Sequence, residues 1–552
     1  MDRSLRWIEL RMEALARARP FMPMLFVAVL AVVLFLPGFF TMPPVDRDEA
    51  RFAQASRQMV ETGDLIDIRL GDDTRYKKPI GIYWLQSAAV AVCGPECREE
   101  IWAYRIPSLI GAVAAVLLTY LIGLSLMGAG SAMVAAILMA SCFVLGAEAR
   151  LAKTDAVLLA AILSAQAVLA RLWMRPGEAL PAWLAYGFWI ALAVATLVKG
   201  PIAALVVGTT VLGLAVRARA FGWLRALRPG RGAVVFLALV VPWFVLITLR
   251  AGNAFWDEAL GRDLIAKIGE GQENHGAPPG TYLAAVWATF WPASIFLPFG
   301  IAASWKGWRL RPVWFCLVWI LPTWIVFELV ATKLIHYVLP VFAGLAVMSA
   351  SGWLARPEGR PGTAFRIFLG FMLGLAVVLL AVPAYVTFEG GQWPGAYWIA
   401  GVVIMAVSGT GLWRSVGQGR RFAPALCGAG LAVGLSLAFY EQLSRVGFLW
   451  PSVPLAAMQD GAALCGDDPL RLMVGYEEPS LLFLTDDTGA DVGPEAAAQA
   501  VAQADCAFVM VEKRLDDRFH AALTRDAEVL GTVTGMNIGN GREIAVTGYL
   551  FR

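Results

Sequence analysis

Carboxylates and cations able to do chemistry recur at a few points of the chain. The first is Val45-Asp46-Arg47-Asp48-Glu49-Ala50-Arg51-Phe52. Arg75-Tyr76-Lys77-Lys78-Pro79 follows, then Arg150-Leu151-Ala152-Lys153-Thr154-Asp155, then Lys199-Gly200-Pro201. The loop 250–282 adds Asp263, Lys267, Glu273 and His275, and Lys333, His336 and Tyr337 come last. A carboxylate such as Asp48, at the start of a helix, can cap free backbone N–H groups or act as a general base on an acceptor hydroxyl; both readings stand. Lys and Arg clustered beside apolar residues suit a phosphate carried on a lipid tail. The same residues can instead snorkel to anionic lipid. The i, i+3, i+4 spacing of Lys333, His336 and Tyr337 predicts one shared helix face.

These groups need elements to hold them. The chain has 552 residues, 59% hydrophobic and 16% charged, with a mean hydropathy of +0.64. Soluble domains carry nearer a quarter charged residues, so the bilayer is the solvent for most of this chain. A net charge of +3 gives no reason to expect a nucleic-acid partner. Apolar runs at 21–40, 103–126, 130–147, 155–173, 183–199, 201–216, 233–250, 283–304, 312–330, 335–353, 365–388, 396–413 and 421–440 predict about thirteen spanning helices. The first follows an Arg-rich start, lacks a small-residue cleavage site and reads as an uncleaved helix. The spans form one domain, 1–440, and 441–552 reads as a small α/β domain. Its expected strands lie at 472–475, 507–511 and 544–546, and its expected helices at 496–502 and 519–524. A Gly539-Asn540-Gly541 turn precedes the last strand.

Orientation follows from charge. Arg3, Arg6, Arg11, Arg17 and Arg19 precede the first span. Arg217, Arg219, Arg225, Arg228 and Arg231 follow the sixth, and Arg356, Arg360 and Arg366 follow the tenth. Alternate loops are thus basic, which puts the N-terminus in the cytoplasm of a bacterial inner-membrane protein. All the chemical corners above, the first outer segment 41–102 and the C-terminal domain then lie outside, in the periplasm. On that side the pairs Cys93/Cys97 and Cys465/Cys506 are open to oxidation or remain thiols. Within 41–102, a helix over 49–61 stopped by Gly63 is expected. A second, over 80–92, is expected to lie along the interface with Ile82, Leu85 and Ala89 on its apolar side.

In Asp48-Glu49-Ala50-Arg51-Phe52, in Lys78-Pro79 through Tyr83-Trp84, in Lys199-Gly200-Pro201 and in Lys333-Leu334-Ile335-His336-Tyr337-Val338-Leu339-Pro340, the chain resembles the GT-C class of polytopic glycosyltransferases. The branch it looks most like contains the bacterial lipid A aminoarabinose transferases. The resemblance implies sugar transfer from a polyprenyl (undecaprenyl) phosphate donor to a lipid-linked or glycan acceptor of lipopolysaccharide type. It matches Asp48 to the acid that activates the acceptor and Asp155 to a second acid. It matches Lys78 to the carrier-phosphate ligand and Lys333 and Tyr337 to the late corner. Arg51, Lys77, Tyr83, Lys199 and His336 complete the expected donor site. A single base and direct attack imply inversion; a nucleophilic role for Asp155 stays open. The Glu that precedes Lys-Pro in the branch, associated there with a metal, is Lys77 here, and the usual Tyr after the first-loop Arg is Phe52. A divalent metal is therefore left open. A transporter or flippase is the competing reading; such proteins place charges near mid-membrane and often show repeated halves.

Overall fold

Apolar runs in a bilayer satisfy their backbone polar groups internally, and here they do so as helices. The structure, a computed structural model, describes residues 2–259, 261, 276–357, 359–459, 469–485, 490–538 and 541–552. Among the described residues, eight helices are long and apolar enough to cross a membrane. They are Ile101–Met127, Asp155–Met174, Ala182–Lys199, Pro229–Ala251, Arg311–Leu329, Thr363–Glu389, Ala396–Gly417 and Ala423–Glu441. A bent pair, Thr281–Thr289 with Ala293–Gly307, makes up to nine. The shorter apolar helices Phe21–Phe35, Ala129–Ser141, Ile202–Ala218 and Leu339–Leu354 occupy the remaining predicted runs. Close packing depends on small residues. A Cβ on Gly111 would lie 2.8 Å from the Ala156 carbonyl, so Ile101–Met127 and Asp155–Met174 approach there backbone to backbone.

An element absent from the sequence reading precedes the first span. Asp2–Arg17 is an amphipathic helix. Its Glu9 carboxylate accepts the backbone N–H groups of Arg421, Phe422 and Ala423 at 2.7–3.2 Å, satisfying the start of the helix Ala423–Ser436.

The segment after the first span folds as expected, with one correction at the start of its first helix. The helix Asp48–Thr62 begins at Asp48 itself, Arg47 taking the N-cap position at φ 66°, and Gly63 ends it at φ 71°. The helix Gly81–Cys93 turns Ile82, Tyr83, Gln86, Ser87 and Val90 inward and leaves Leu85 exposed and Ala89 half-buried on its apolar side. Ser56 donates to Gln86 at 2.7 Å and Ser87 donates to the Ser56 carbonyl at 3.1 Å, so hydrogen bonds select the polar face for the contact with Asp48–Thr62. Leu85 and Ala89 instead line an apolar groove of about 1300 Å³ with Ile110, Ala160 and Ile190. Between the two helices, β1 (Arg69–Leu70) and β2 (Asp73–Thr74) form a hairpin. Cys93 and Cys97 are joined by a disulfide.

The C-terminal part is a five-stranded sheet of order β4-β3-β5-β7-β6. Its strands are β3 (Leu470–Val474), β4 (Ala490–Asp491), β5 (Ala507–Glu512), β6 (Glu528–Asn537) and β7 (Arg542–Phe551). β3 pairs in parallel with β4 and β5, and β7 runs antiparallel to β5 and β6. Pro494–Gln503 forms the helix expected at 496–502, whereas the next helix is Lys513–Ala522, starting earlier than expected. β6 was not foreseen; its alternation is weak, with both Gly531 and Gly535 inside it. Residues 539 and 540 of the expected turn and Cys465 lie outside the described residues, and Cys506 is disulfide-bonded.

This domain docks on the first outer segment through the helix Pro479–Thr485. Arg57 donates to the Phe483 carbonyl at 2.8 Å, the Phe483 ring meets Tyr104 edge-on at 5.4 Å, and Ser480 N–H donates to Asp46 at 3.1 Å. Burial pushes the Asp46 carboxyl up to about 6, with Glu478 adding to the rise, against the opposing Ser480 bonds. A carboxyl raised in the folded state favours the docked form below its unfolded value of 3.8, and that contribution is lost as pH rises through about 6. Hydrogen exchange over 479–485 should therefore quicken between pH 5 and pH 7.5, once corrected for intrinsic rates. Asp46→Asn should abolish that pH dependence; an unchanged profile in the variant would refute the assignment.

Candidate functional site

The site is assembled around a buried ion pair. Glu49, 1% exposed, forks onto Arg105, 0% exposed, at 2.8 and 2.9 Å. The same carboxylate accepts Val45 N–H at 2.9 Å and Ala152 N–H at 2.8 Å. Arg105 donates onward to the carbonyls of Phe39, Met42 and Pro43 at 2.9, 2.7 and 3.1 Å. Two outer corners that are distant in sequence are thereby tied to one helix end. Arg150 does the same for the first span: fully buried, it donates to the carbonyls of Pro37, Gly146 and Leu34 and lies 4.2 Å over the Tyr440 ring.

These ties enclose a cavity of about 990 Å³. Asp48, Arg51, Arg75, Lys77, Lys78, Lys153, Asp155, Lys199, His336 and Tyr337 all border it. Asp48 is open to the cavity although protein surrounds it on most sides. Burial would raise its carboxyl, but Lys153, Arg75 and Lys78 outweigh that and hold it below the usual carboxylate range. Asp155 is closed in: Lys199 Nζ sits 2.6 Å from its Oδ1 and His336 Nε2 3.6 Å from its Oδ2. On the other side of the imidazole, His336 Nδ1 is 3.4 Å from Glu148 Oε1, which Lys153 Nζ approaches at 3.3 Å. Burial disfavours the charge on Lys153, yet Glu148, Asp155 and Asp48 around it push its pKa up. Burial drives His336 down to about 3, so its ring is neutral.

The other wall is apolar. Ile202, Leu205, Val326, Val330 and Leu334 continue the cavity away from the charges, between Ile202–Ala218 and Arg311–Leu329. One end can thus hold an anion and the other a hydrocarbon chain.

Two expected residues are not on the cavity wall. Residues 333–337 are not helical, because the helix starts at Leu339 with Pro340 in its first turn. The shared-face argument therefore fails. Lys333 turns back to donate to the carbonyls of Glu328 and Val330 at 3.0 and 2.5 Å, capping the end of Arg311–Leu329, while His336 and Tyr337 reach the cavity. Tyr83 is fully buried and packs 5.4 Å from Phe52, over whose ring the Arg75 guanidinium lies at 5.0 Å. It backs the wall rather than forming it. Asp263, Lys267, Glu273 and His275 lie outside the described residues.

Glu49, Arg75, Glu148 and Lys153 were not assigned site roles from sequence. Arg75 and Lys153 carried a signal, standing in the same basic corners as the chosen residues. Glu49 and Glu148 carried none, since nothing local distinguishes an acid bound to a distant Arg from a solvated one.

The family profile described as dolichyl-phosphate-mannose-protein mannosyltransferase matches residues 77–246. A Pseudomonas fluorescens protein named undecaprenyl phosphate-alpha-4-amino-4-deoxy-L-arabinose arabinosyl transferase 2 is 28% identical over 341 residues, 60% of this chain. The match spans 56% of that relative, little more than half its length. An Aeromonas hydrophila protein named undecaprenyl phosphate-alpha-4-amino-4-deoxy-L-arabinose arabinosyl transferase is 26% identical over 86% of this chain and 90% of its own length. Among solved structures, ArnT from Cupriavidus metallidurans bound to undecaprenyl phosphate superposes with TM-score 0.75 and 19% identity, over 96% of this chain and 98% of that one. The archaeal oligosaccharyltransferase AglB from Archaeoglobus fulgidus superposes with TM-score 0.51 and 10% identity, over 91% and 70%. The fold is that of these polytopic helical membrane proteins, and the resemblance read from the four sequence motifs is borne out.

The ion pair that assembles the site can be tested directly. Glu49→Leu or Arg105→Met alone strands a buried charge, and each should lower stability by about 3–5 kcal/mol. The double variant should recover much of that loss. Thermal unfolding in detergent measures the cycle, and additive losses would show that the pair does not act as a unit.

Proposed function

We propose that this chain is an inner-membrane glycosyltransferase that moves a monosaccharide from a polyprenyl-phosphate carrier to a lipid or glycan acceptor of lipopolysaccharide type. The carrying observation is the two-ended cavity: an open carboxylate among cations at one end, an apolar wall at the other. The names of the relatives, undecaprenyl-phosphate aminoarabinose transferases, support the same reading. About thirteen crossings, with the N-terminus cytoplasmic and the cavity and C-terminal sheet periplasmic, agree with the alternating basic loops. The transporter reading has no comparable support, because the charges gather at helix ends rather than at mid-depth.

Bond breaking at the anomeric carbon leaves a polyprenyl phosphate, a leaving group that needs its growing charge balanced rather than a proton. Lys78 and Arg75 are placed to balance it, with Arg51 and Lys77 bordering the same cavity. Asp48 takes the proton of an acceptor hydroxyl; with a phosphate acceptor it only positions the nucleophile. Asp155, held by Lys199, supports this arrangement rather than attacking, and a single base with direct attack gives inversion. The metal associated with the aminoarabinose branch does not fit the matching position. Lys77 brings an ammonium to the cavity wall where a carboxylate would be the ligand, so no step passes through a metal there.

Transfer from a polyprenyl-phosphate sugar should be measured with purified protein. Asp48→Asn should bind carrier normally yet lose most single-turnover transfer, by about 10²–10⁴-fold. Near-normal turnover would remove Asp48 from the role. Lys78→Ala should weaken polyprenyl-phosphate binding by about 1.5–3 kcal/mol, the worth of a charge-assisted bond. Unchanged binding would assign the phosphate elsewhere. Failure of the unmodified protein to transfer any lipid-linked sugar would overturn the proposal.

A further inference from the structure

Glu148, Asp155 and His336 each bring one ligand atom within 4.8 Å of the others. All three are buried, at 4, 6 and 7% exposure. Two carboxylates and an imidazole are donors of the kind that bind a borderline divalent cation such as zinc, with ligand bonds of about 2.0–2.2 Å. Glu148 also keeps one buried oxygen, Oε2, without a hydrogen-bond donor. An unsatisfied carboxylate oxygen in a protein interior is costly and is unused ligating capacity.

The cluster is nevertheless balanced without an ion. Lys153 Nζ lies 3.3 Å from Glu148 Oε1 and Lys199 Nζ 2.6 Å from Asp155 Oδ1. Two ammonium groups thus face two carboxylates. The imidazole turns one nitrogen towards each acid, 3.4 and 3.6 Å away, rather than one towards a common centre. A divalent ion entering this enclosed, already neutral cluster would meet both ammonium charges at short range, where Coulomb terms are largest.

We infer that Glu148, Asp155 and His336 form a latent divalent-metal site that Lys153 and Lys199 hold closed. The lysines deliver the positive charge such an ion would bring. A carboxylate–histidine set is kept without dependence on metal supply, and withdrawing one ammonium should open it.

Metal content separates this from its alternatives without reference to activity. Purified chain, Lys153→Met, Lys153→Arg, and Glu148→Gln in both the unmodified and Lys153→Met backgrounds are incubated with zinc, desalted and analysed by mass spectrometry for metal per chain. The unmodified protein and Lys153→Arg should hold no more zinc than Glu148→Gln. Lys153→Met should gain about one zinc per chain and lose it again when Glu148→Gln is added. Because the bare Lys153→Met variant leaves acids uncompensated, its melting temperature is followed with and without zinc; folding rescued by zinc supports the inference. Three results overturn it. One is about one zinc in the unmodified protein that Glu148→Gln removes. Another is a folded Lys153→Met that gains none. The third is a Lys153→Met that fails to fold whether or not zinc is present.

Discussion

The Glu49–Arg105 pair is the constraint on which the site depends. A carboxylate and a guanidinium, each essentially inaccessible to solvent, hold each other at 2.8 Å while every remaining bond they make is to backbone. Desolvating two ions costs several kcal/mol apiece, and such a pair persists only when geometry is good and the remaining donors and acceptors are satisfied. Here that condition has a structural consequence. The backbone groups that satisfy the pair belong to 39–45 and to Ala152, so both outer corners are fixed relative to Ile101–Met127. Asp48 follows one corner by chain connectivity, and Lys153 and Asp155 follow the other.

Within that frame the charges alternate. Around the buried corner run Lys153, Glu148, His336, Asp155 and Lys199, each beside a neighbour of opposite or neutral character. Alternation allows several ionisable groups to share a small enclosed volume, while Asp48 stays open to the cavity. Its low pKa belongs to the arrangement, since two of the cations that lower it are held in place, Lys153 by Glu148 and Lys78 by the Lys77 carbonyl.

The architecture was legible in the sequence wherever one physical rule acted alone. Long apolar runs became helices, Gly63 stopped its helix in the left-handed conformation, and Asp48, Lys78, Asp155, Lys199, His336 and Tyr337 all reached one cavity. The misses arise where two rules compete. Lys333 has helical spacing to His336, but Pro340 favours a helix start just before it and leaves the corner as a turn outside the helix, so the lysine meets carbonyls instead. The apolar side expected for the helix Gly81–Cys93 is no such miss: Leu85 and Ala89 line an apolar groove, as a side turned to lipid can. The polar side, with Gln86 and Ser87, found the hydrogen bonds. Glu49 was overshadowed by Asp48 because sequence shows no sign of a partner as distant as Arg105.

The cations divide by depth, and the division bears on why so many are present. Lys77 is exposed at the cavity wall and Lys78, beside it, donates to the Lys77 carbonyl at 3.0 Å. Lys153 and Lys199 lie behind, each matched to an acid. Under the proposed function an anion would meet the outer pair at modest cost, since Lys77 is exposed and Lys78 half-buried and both are already partly hydrated. The inner pair cannot be recruited without breaking a buried bridge, which is the more expensive change. In the function proposed above the inner lysines set the field and the outer ones take the phosphate, so that the anion could come and go without disturbing the buried bridges.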